Sequence, residues 1–581
     1  MKKWILKRKG ADFDHISEKF HIDKRLASLI RNRDIISDED IERYLNGQIK
    51  DMYSPFLLLG MEEAVDRILE AIDDGSLIRV IGDYDADGVN STYVLVAGLT
   101  RLGGMVSFDI PDRHLDGYGL SLNLIDKAYK DNIDLIITCD NGIAGKKEIE
   151  KAKSLGIDVI VTDHHEVQED IFPGDSISVI DPKQKDDVYP DKNICGCVVA
   201  YKLVLALAET MGFDLSEFYD LIENCAIATI CDIVDLQNEN RIIVKEGLNR
   251  IRKTENIGLN ALIKATGIEK DKINPYHLGF IIGPCINASG RLESAKVALK
   301  LFLSSDENEA SKIANELVEL NNERKELTET AYKEAVEIIE KENYNKDNVL
   351  VVYIPDANES VAGIVAGKIK DRYYKPTIVL TNSRDGVKGS GRSIESYNLF
   401  EELVKVSDLM TKFGGHKLAA GLSLLPENID NLRNSLNANE DLTEEDLKEK
   451  IYLDMELGFR YISKELVHQI SLLEPFGKGN SKPVFVNRTA QIVSGKILGT
   501  NRNVIRFNLK DDTNTYFTGI FFTDGDRFLE DLKDNFNEKI ASDFEQGKKL
   551  DLKFTIAFIP EINIYKEVEN IQINIKDYFW N

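Results

Sequence analysis

The sequence is poor in cysteine, lacks a long apolar run and has no excess of positive charge. Its 6 cysteines among 581 residues are scattered, mostly in apolar or tight segments, which predicts buried thiols in a reducing cytoplasm rather than a disulfide framework. Cys195 and Cys197 have no second ligand pair at zinc-finger spacing, so a zinc site is not expected. No stretch of about 18 apolar residues is present, which excludes a membrane-spanning helix. The basic start MKKWILKRKG has no apolar run behind it, which argues against a secretory signal.

The charge balance is acidic. The chain has 99 acidic and 73 basic residues, a formal charge of −26, which excludes a protein that coats nucleic acid through its net charge. An enzyme that holds cations with carboxylates and binds a strand in a local basic groove remains compatible with this balance. With 43% apolar and 30% charged residues the chain is predicted to be globular, and at roughly 100–200 residues per domain its length suggests about three to five domains.

Short apolar runs that alternate with helical patterns predict a mostly parallel sheet in the first half of the chain. These runs are Leu77–Ile81, Leu135–Ile137, Val159–Val161 and Ile177–Ile180. Over residues 306–340 apolar side chains recur every three to four positions, with a break at Arg324, which predicts one long bridging helix. Near the C-terminus Ile505, Phe507 and Leu509 alternate with polar residues, which predicts a small β barrel or sandwich.

We therefore predict an α/β protein with two α/β lobes joined by a long helix, followed by an all-β domain. The predicted regions are a helical appendage at 1–55, a catalytic α/β domain at 56–265, a helical connector at 266–345, a second α/β domain at 346–450 and a β domain at 451–581.

The strongest chemical signal is a group of three carboxylates directly after an apolar run. Asp83, Asp85 and Asp87 occupy alternate positions, and Gly88 allows a tight turn into a helix. Because like charges this close repel one another, the group is costly unless cations neutralise it. A solvated acidic turn is the alternative interpretation of this segment taken alone.

Further polar residues follow the other apolar runs. Asp140 follows the second run, His164 and His165 follow the third, and Asp232 lies in an otherwise apolar stretch, where it must be paired or metal-bound. Ligands collect at the carboxyl ends of parallel strands. Asp and His without cysteine favour two hard or borderline divalent ions, Mn²⁺ or Mg²⁺, that would clamp a phosphate. For the histidine pair alone, an ordinary helix cap is an equally good interpretation.

These motifs resemble the DHH phosphoesterase family, and in particular its single-strand-specific exonucleases. The matching stretches are Asp163-His164-His165, Gly82–Gly88, Asp140–Ile143, Cys231-Asp232, Gly283–Arg291, Gly389–Arg392 and Gly414–His416. The resemblance covers essentially the whole chain. It implies that the lobes are the DHH domain and the DHH-associated domain, and that the β domain is an OB-fold.

The resemblance also implies roles for individual residues. The implied metal ligands are Asp85, Asp87, Asp140, His164 and Asp232, and the implied catalytic residues are Asp83, Asp140, His164 and His165. The implied contacts to the strand are Arg113, Tyr118, Asn287, Ser289, Arg291, Gly389, Ser390, Arg392, Gly414, Gly415 and His416. The sequence departs from the family pattern at Cys285, where arginine is usual, and at Asn358-Glu359, where Trp-His is usual.

The implied activity is metal-dependent hydrolysis of single-stranded DNA from the 5′ end to 5′-mononucleotides, in recombination and repair. The implied protein is cytoplasmic and monomeric, does not bind membranes and receives its substrate from a helicase and a single-strand-binding protein. Two alternatives remain: a DHH phosphodiesterase for short oligonucleotides or cyclic dinucleotides, and a catalytically dead DNA-binding scaffold. The length and the extra domain argue against the first, and the intact carboxylates argue against the second.

Overall fold

The computed structural model describes residues 2–112, 119–383 and 386–581. The chain divides into two compact units: one consists mainly of Tyr53–Asp232 and Glu246–Glu449, the other of Lys3–Met52, Ile233–Lys245 and Lys450–Asn581. Among the described residues, no helix combines the length and the apolar character needed to cross a membrane.

Helices and strands are numbered separately in chain order. The helices are α1 (Phe13–Phe20), α2 (Lys24–Arg31), α3 (Asp38–Asn46), α4 (Met61–Asp73), α5 (Ala86–Arg101), α6 (Leu122–Lys130), α7 (Lys146–Ser154), α8 (Gly196–Thr210), α9 (Ile222–Cys231), α10 (Asn238–Ile251), α11 (Ile257–Ala265), α12 (Pro275–His277), α13 (Gly283–Leu292), α14 (Lys296–Leu303), α15 (Glu307–Lys341), α16 (Ala362–Tyr373), α17 (Leu399–Lys405), α18 (Ile429–Asn439), α19 (Lys464–Ser471), α20 (Gly525–Asn535) and α21 (Glu538–Glu545). The strands are β1 (Lys3–Leu6), β2 (Leu77–Gly82), β3 (Met105–Asp109), β4 (Leu135–Cys139), β5 (Asp158–Thr162), β6 (Ser178–Ile180), β7 (Leu350–Tyr353), β8 (Thr377–Ser383), β9 (Gly386–Arg392), β10 (Lys412–His416), β11 (Ala419–Leu424), β12 (Lys450–Leu453), β13 (Met455–Glu456), β14 (Phe485–Leu498), β15 (Val504–Lys510), β16 (Tyr516–Phe522), β17 (Leu552–Tyr565) and β18 (Val568–Trp580).

The first sheet is parallel throughout, in the order β3-β2-β4-β5-β6. The strands β2, β4, β5 and β6 correspond to the four apolar runs that the sequence predicts. They are almost wholly buried because helices cover the sheet. The edge strand β3 was not predicted. Ser107 and Asp109 interrupt its apolar pattern, and most of its residues are only partly buried.

The long helix α15 runs without interruption through Arg324, where the apolar repeat breaks, so the prediction of one long helix is confirmed. Asp306 caps its first turn by accepting a hydrogen bond from the Glu309 backbone N–H. Its buried face, which includes Ala314 and Leu317, packs on α11 and α13 at one end, and the helix reaches α16 at the other. It therefore joins the two α/β lobes of the first unit, as predicted.

The second sheet has the order β10-β11-β9-β8-β7. Only β7 and β8 pair in parallel, and the other pairs are antiparallel. Its core clusters include Ile378 and Leu380 on one side and Leu350 and Val352 on the other. The predicted α/β lobe is therefore a mixed sheet with helices.

In the second unit, β14, β15, β16, β18 and β17 pair in a closed ring that forms a barrel, as the prediction of an OB-fold requires. Phe485 and Phe507 belong to its core, whereas Tyr516 is 60% exposed. The strand β1, which was not predicted, pairs in parallel with β12. Asp235 lies 3.7 Å from Lys478, and the guanidinium of Arg241 donates to backbone carbonyls.

Candidate metal centre

Three aspartates meet at the carboxyl edge of the first sheet because they follow adjacent strands. Gly82 of β2 pairs with Cys139 of β4, and Cys139 pairs with Thr162 of β5. The next residues, Asp83, Asp140 and Asp163, are therefore neighbours, and each is at most 2% exposed. His164 follows and brings its Nε2 to 3.1 Å from Asp140 Oδ1.

Helix starts complete the arrangement around this edge. Asp85 caps α5 and accepts hydrogen bonds from the backbone of Asp87 and Gly88. Asp87 in turn accepts from the N–H groups of Gly196 and Cys197, at 2.7 and 2.8 Å, at the N-terminus of α8. A Cβ on Gly196 would lie 2.7 Å from Asp140 Cβ, so only glycine allows α8 to approach this closely.

The side chains form overlapping groups of possible ligands. In each group the ligand atoms lie within 4.8 Å of one another. The groups are Asp83, Asp85 and Asp140; Asp87, His164 and Asp232; and Asp140, His164 and His165. Because Asp140 and His164 each belong to two groups, the residues can hold two cations that share ligands.

The charges in this site favour a cation. Burial, followed by the charges of neighbouring aspartates, raises the pKa of Asp83 and Asp140 well above the usual range. The same causes raise the pKa of Asp87 to about 6 and that of Asp232 to about 8. Among the described residues, the buried Asp83 Oδ1 has no hydrogen-bond partner. Carboxylates that are crowded, buried and short of donors fit divalent metal ions.

The two histidines differ in protonation. Burial, and then the charge of His165, lowers the pKa of His164 to about 3, so its ring is neutral and able to act as a ligand. Burial also works against the charged form of His165, but the hydrogen bond and charge of Asp163 outweigh it and raise its pKa to about 9. Asp163 Oδ1 lies 2.7 Å from His165 Nδ1 and also accepts from the backbone of His164.

A cleft of about 890 Å³ in the same unit reaches from Tyr84, between the clustered aspartates, to the second sheet. Ser390 and Arg392 alternate along β9 and share one face, which α16 approaches at Gly363; a Cβ there would lie 2.9 Å from Arg392 Nη2. Arg392 donates to the Gly391 carbonyl at 2.8 Å, and burial lowers the pKa of its guanidinium. Gly414, Gly415 and the exposed His416 line the cleft from β10, and Gly389 lines it from β9. This combination suits an anion.

The remaining predicted contacts are placed differently. Asn287 Oδ1 accepts from the Ala86 N–H at 2.8 Å, so it supports the aspartate loop. Ser289 is fully buried and donates to the Ile286 carbonyl, which leaves its hydroxyl no access to a strand, against the prediction. Arg291 donates to the Ser360 carbonyl in the second lobe. Arg113 and Tyr118 lie outside the described residues. Cys285 accepts from Asn321 of α15.

Two further residues at this edge were not predicted as part of the site. Asp163 orients both histidines, and its place as the first residue of the histidine motif was the available signal. Lys183, two residues after the buried Asp181, lies 3.1 Å from Glu166, and its charge acts on both His164 and Asp232. A single lysine in a loop carries no recognisable pattern.

Family models match the chain in three places: the DHH family N-terminal domain at residues 77–230, the DHHA1 domain at 346–439 and the RecJ OB domain at 453–577. A Haemophilus influenzae protein named single-stranded-DNA-specific exonuclease RecJ is 31% identical over 597 residues, and the match covers 100% of this chain and 99% of that protein. The chain belongs to the RecJ family.

Two other members support this placement. Bacillus subtilis RecJ is 38% identical over 517 residues, and the match covers 88% of this chain but only 64% of that protein. The structure of Thermus thermophilus RecJ in complex with Mn²⁺ superposes with a TM-score of 0.82 at 26% identity, covering 100% of this chain and 80% of that one. The domains that the structure describes in this RecJ-family chain therefore have the folds of RecJ, although some members of the family are longer.

Proposed function

We propose that the chain is a metal-dependent exonuclease that removes nucleotides from the 5′ end of single-stranded DNA and releases 5′-mononucleotides. The observation that carries the proposal is the cluster of possible ligands around Asp140 beside a cleft that presents Arg392. The proposal agrees with the names of the relatives, which are single-stranded-DNA-specific exonucleases. In this proposal residues 77–230 carry out catalysis, residues 346–439 bind the end of the DNA strand and residues 453–577 form an OB-fold.

Asp85, Asp87, Asp140, His164 and Asp232 would hold the two cations, with Asp83 beside them. Thermus RecJ structures contain Mn²⁺ or Mg²⁺, and these hard ions suit such ligands. When bound, the ions would supply the Lewis-acid chemistry that activates water and neutralises the phosphate.

The side chains of this chain do the rest. Asp140 belongs to two of the ligand groups and would be a ligand common to both cations. His165 holds a proton near neutral pH, because Asp163 raises its pKa to about 9, and can donate it toward the departing 3′-oxygen. Ser390 and Arg392 would bind the 5′-terminal phosphate, with Gly414, Gly415 and His416 beside it and Arg291 bridging the lobes. Binding of that phosphate would fix which phosphodiester linkage reaches the metal centre, and hence the 5′→3′ direction of hydrolysis.

We further propose that the protein acts in the cytoplasm. The six cysteines are free thiols, five of them buried, which suits a reducing cytoplasm. A monomer would receive single strands from a helicase and a single-strand-binding protein, and a cleft between the lobes too narrow for duplex would exclude paired DNA.

The test uses a long single strand labelled at its 5′ end or at its 3′ end, with Mn²⁺ or Mg²⁺. Immediate release of a labelled mononucleotide from the 5′ end, with gradual shortening of the 3′-labelled strand, is the expected result. A folded protein that hydrolyses a dinucleotide but not the long strand would instead identify a small-nucleotide phosphodiesterase.

A further inference from the structure

Two aromatic side chains form an exposed stack outside the site described above. Tyr276 is 61% exposed and Phe280 is 68% exposed. Their ring centroids lie 5.0 Å apart, with an angle of 21° between the ring planes. A single exposed apolar side chain is ordinary on a protein surface, but a parallel pair of rings presents a flat surface of the kind on which nucleobases stack.

The backbone holds this pair rigidly. Asn274 and His277 cap each other's backbone N–H groups around α12, and Pro275 begins the helix. The next turn, Leu278–Ile282, is a π-helix whose end residues are fully buried. Because the backbone turn that carries the rings is already formed, a ligand that stacks on them does not have to order the segment first.

The π-helical turn is attached to the metal centre. The Cys231 thiol donates to the Leu278 carbonyl at 3.8 Å, and Cys231 directly precedes Asp232. Gly279 faces Ile230 of the same helix, α9, because a Cβ there would lie 3.1 Å from the Ile230 side chain. The aromatic pair therefore lies beside the Asp232 side of the cluster.

From this turn α13 leads towards the opposite end of the substrate site. Asn287 bonds to Ala86 in the aspartate loop, and Arg291 bonds to Ser360 in the lobe that carries Arg392. Along the helix from Phe280 to Arg291 the chain advances roughly 16 Å, enough for a few nucleotides. The aromatic pair and the lobe that carries Arg392 thus lie towards opposite ends of α13, with the aspartate loop against the helix between them.

We propose that Tyr276 and Phe280 form a base-stacking subsite for single-stranded DNA, on the side of the metal centre opposite the 5′-terminal phosphate. The subsite would hold a base a few nucleotides from the 5′ end, after the linkage that is cut. This inference rests on the proposed function and specifies where the uncut part of the strand lies. Stacking accepts every base, so the subsite would add affinity without sequence preference.

The test compares Phe280→Ala, Tyr276→Ala and the double variant with Phe280→Trp, which keeps an aromatic face. Tyr129→Ala removes a comparably exposed ring, at 53% exposure, from α6 and serves as the matched control. For a long single strand we expect Phe280→Ala to raise KM about tenfold with little change in kcat. For a 5′-phosphorylated dinucleotide, which is too short to reach the pair, KM should change less than about twofold. Phe280→Trp and Tyr129→Ala should behave as the unchanged protein.

A direct binding measurement separates this inference from the proposed function. Strands with 2-aminopurine at successive positions from the 5′ end, and phosphorothioate linkages to slow hydrolysis, report stacking by fluorescence. One position a few nucleotides from the end should be quenched by the unchanged protein and not by the double variant. An unchanged KM and unchanged quenching in the double variant would overturn the subsite even if the protein is an active exonuclease. Equal KM increases for the long and the short substrate would also overturn it, because they indicate general distortion.

Discussion

Buried aspartates lie at two places along the carboxyl edge of the same parallel sheet, and their surroundings shift their pKa values in opposite directions. At the end of β3, Asp109 is 1% exposed and is paired with Arg79, Lys127 and Lys296. Burial alone would raise its pKa, but the hydrogen bonds and charges of the lysines outweigh burial and lower it. At the ends of β2 and β4, Asp83 and Asp140 are equally buried and are surrounded mainly by other carboxylates, and their pKa values rise.

The opposite pKa shifts distinguish a structural carboxylate from one that binds a ligand. The protein itself supplies the cations around Asp109, so that cluster is complete without any added group. The cluster around Asp140 has too few protein cations for its charge, so bound protons or an external cation must neutralise it. Burial is common to both groups, and the source of the positive charge separates them.

The largest effect should follow replacement of Asp140. Asp140→Ala removes an oxygen ligand common to two ligand groups, and we expect kcat for single-strand hydrolysis to fall at least about a thousandfold, since metal ions contribute several kcal/mol to such transition states. Steady-state hydrolysis with Mn²⁺ measures this. The matched control is Asp109→Asn, at the same edge of the sheet, which should keep kcat within about threefold. Comparable activity losses in the two variants would show that Asp109 and Asp140 do not differ in their contribution to catalysis.

Asp109→Asn should instead act on stability. It removes the buried carboxylate shared by Arg79, Lys127 and Lys296; Arg79 keeps Asp131 at 3.1 Å, and breaking a buried ion pair typically costs about 3–5 kcal/mol. Because Lys127 is half exposed, we expect the lower end, about 3 kcal/mol in the free energy of unfolding. Urea denaturation with excess Mn²⁺ measures this. A loss below about 0.5 kcal/mol would show that the Asp109 cluster does not stabilise the fold.

Replacement of Asp163 should have an intermediate effect, because Asp163 positions His164 and His165 and is not itself assigned as a metal ligand. Asp163→Asn weakens the support of His165 Nδ1, and loss of such support typically costs about 10–100-fold in activity or metal affinity. The pH profile of kcat distinguishes positioning from general damage: the alkaline limit set by His165, whose pKa is raised to about 9, should move to lower pH. A uniform loss with an unchanged profile would contradict the role.

The strands that carry the metal centre could be predicted because they are buried on both faces and therefore read as continuous apolar runs. The strand β3 could not, because its polar Ser107 and Asp109 are satisfied by partners as distant in sequence as Lys296. The strand β1 was missed for the same reason: its partner is β12, near the other end of the chain. Elements whose stability depends on remote partners leave little local signal.

The same reasoning explains the site. Asp83, Asp140 and His164 could be predicted to meet because each follows a strand of one sheet, and strand ends converge. Ser289 was predicted to contact the DNA strand, but the orientation of α13 buries its side chain. That orientation is set by packing of α13 against α15, which no local sequence pattern reveals. Asp163 and Lys183 act through neighbours in space, so only the assembled edge of the sheet shows their part.

The smallest expected effect, and the sharpest test of the comparison, is the pH dependence of stability. Asp87 and Asp232 have folded-state pKa values raised to about 6 and about 8, so the folded metal-free protein holds protons that the unfolded chain releases above about pH 4. Its stability should therefore fall as pH rises from about 4 to about 8.

Mn²⁺ binds the deprotonated carboxylates and should restore more stability at pH 8 than at pH 5, by at least about 1.4 kcal/mol for a tenfold difference in affinity. Thermal denaturation with EDTA or Mn²⁺ across this range measures the difference. Asp109→Asn should leave it unchanged, because the protonation of Asp109 does not depend on the metal, whereas a Mn²⁺ effect of equal size at every pH would show that the raised carboxylates do not hold the ion.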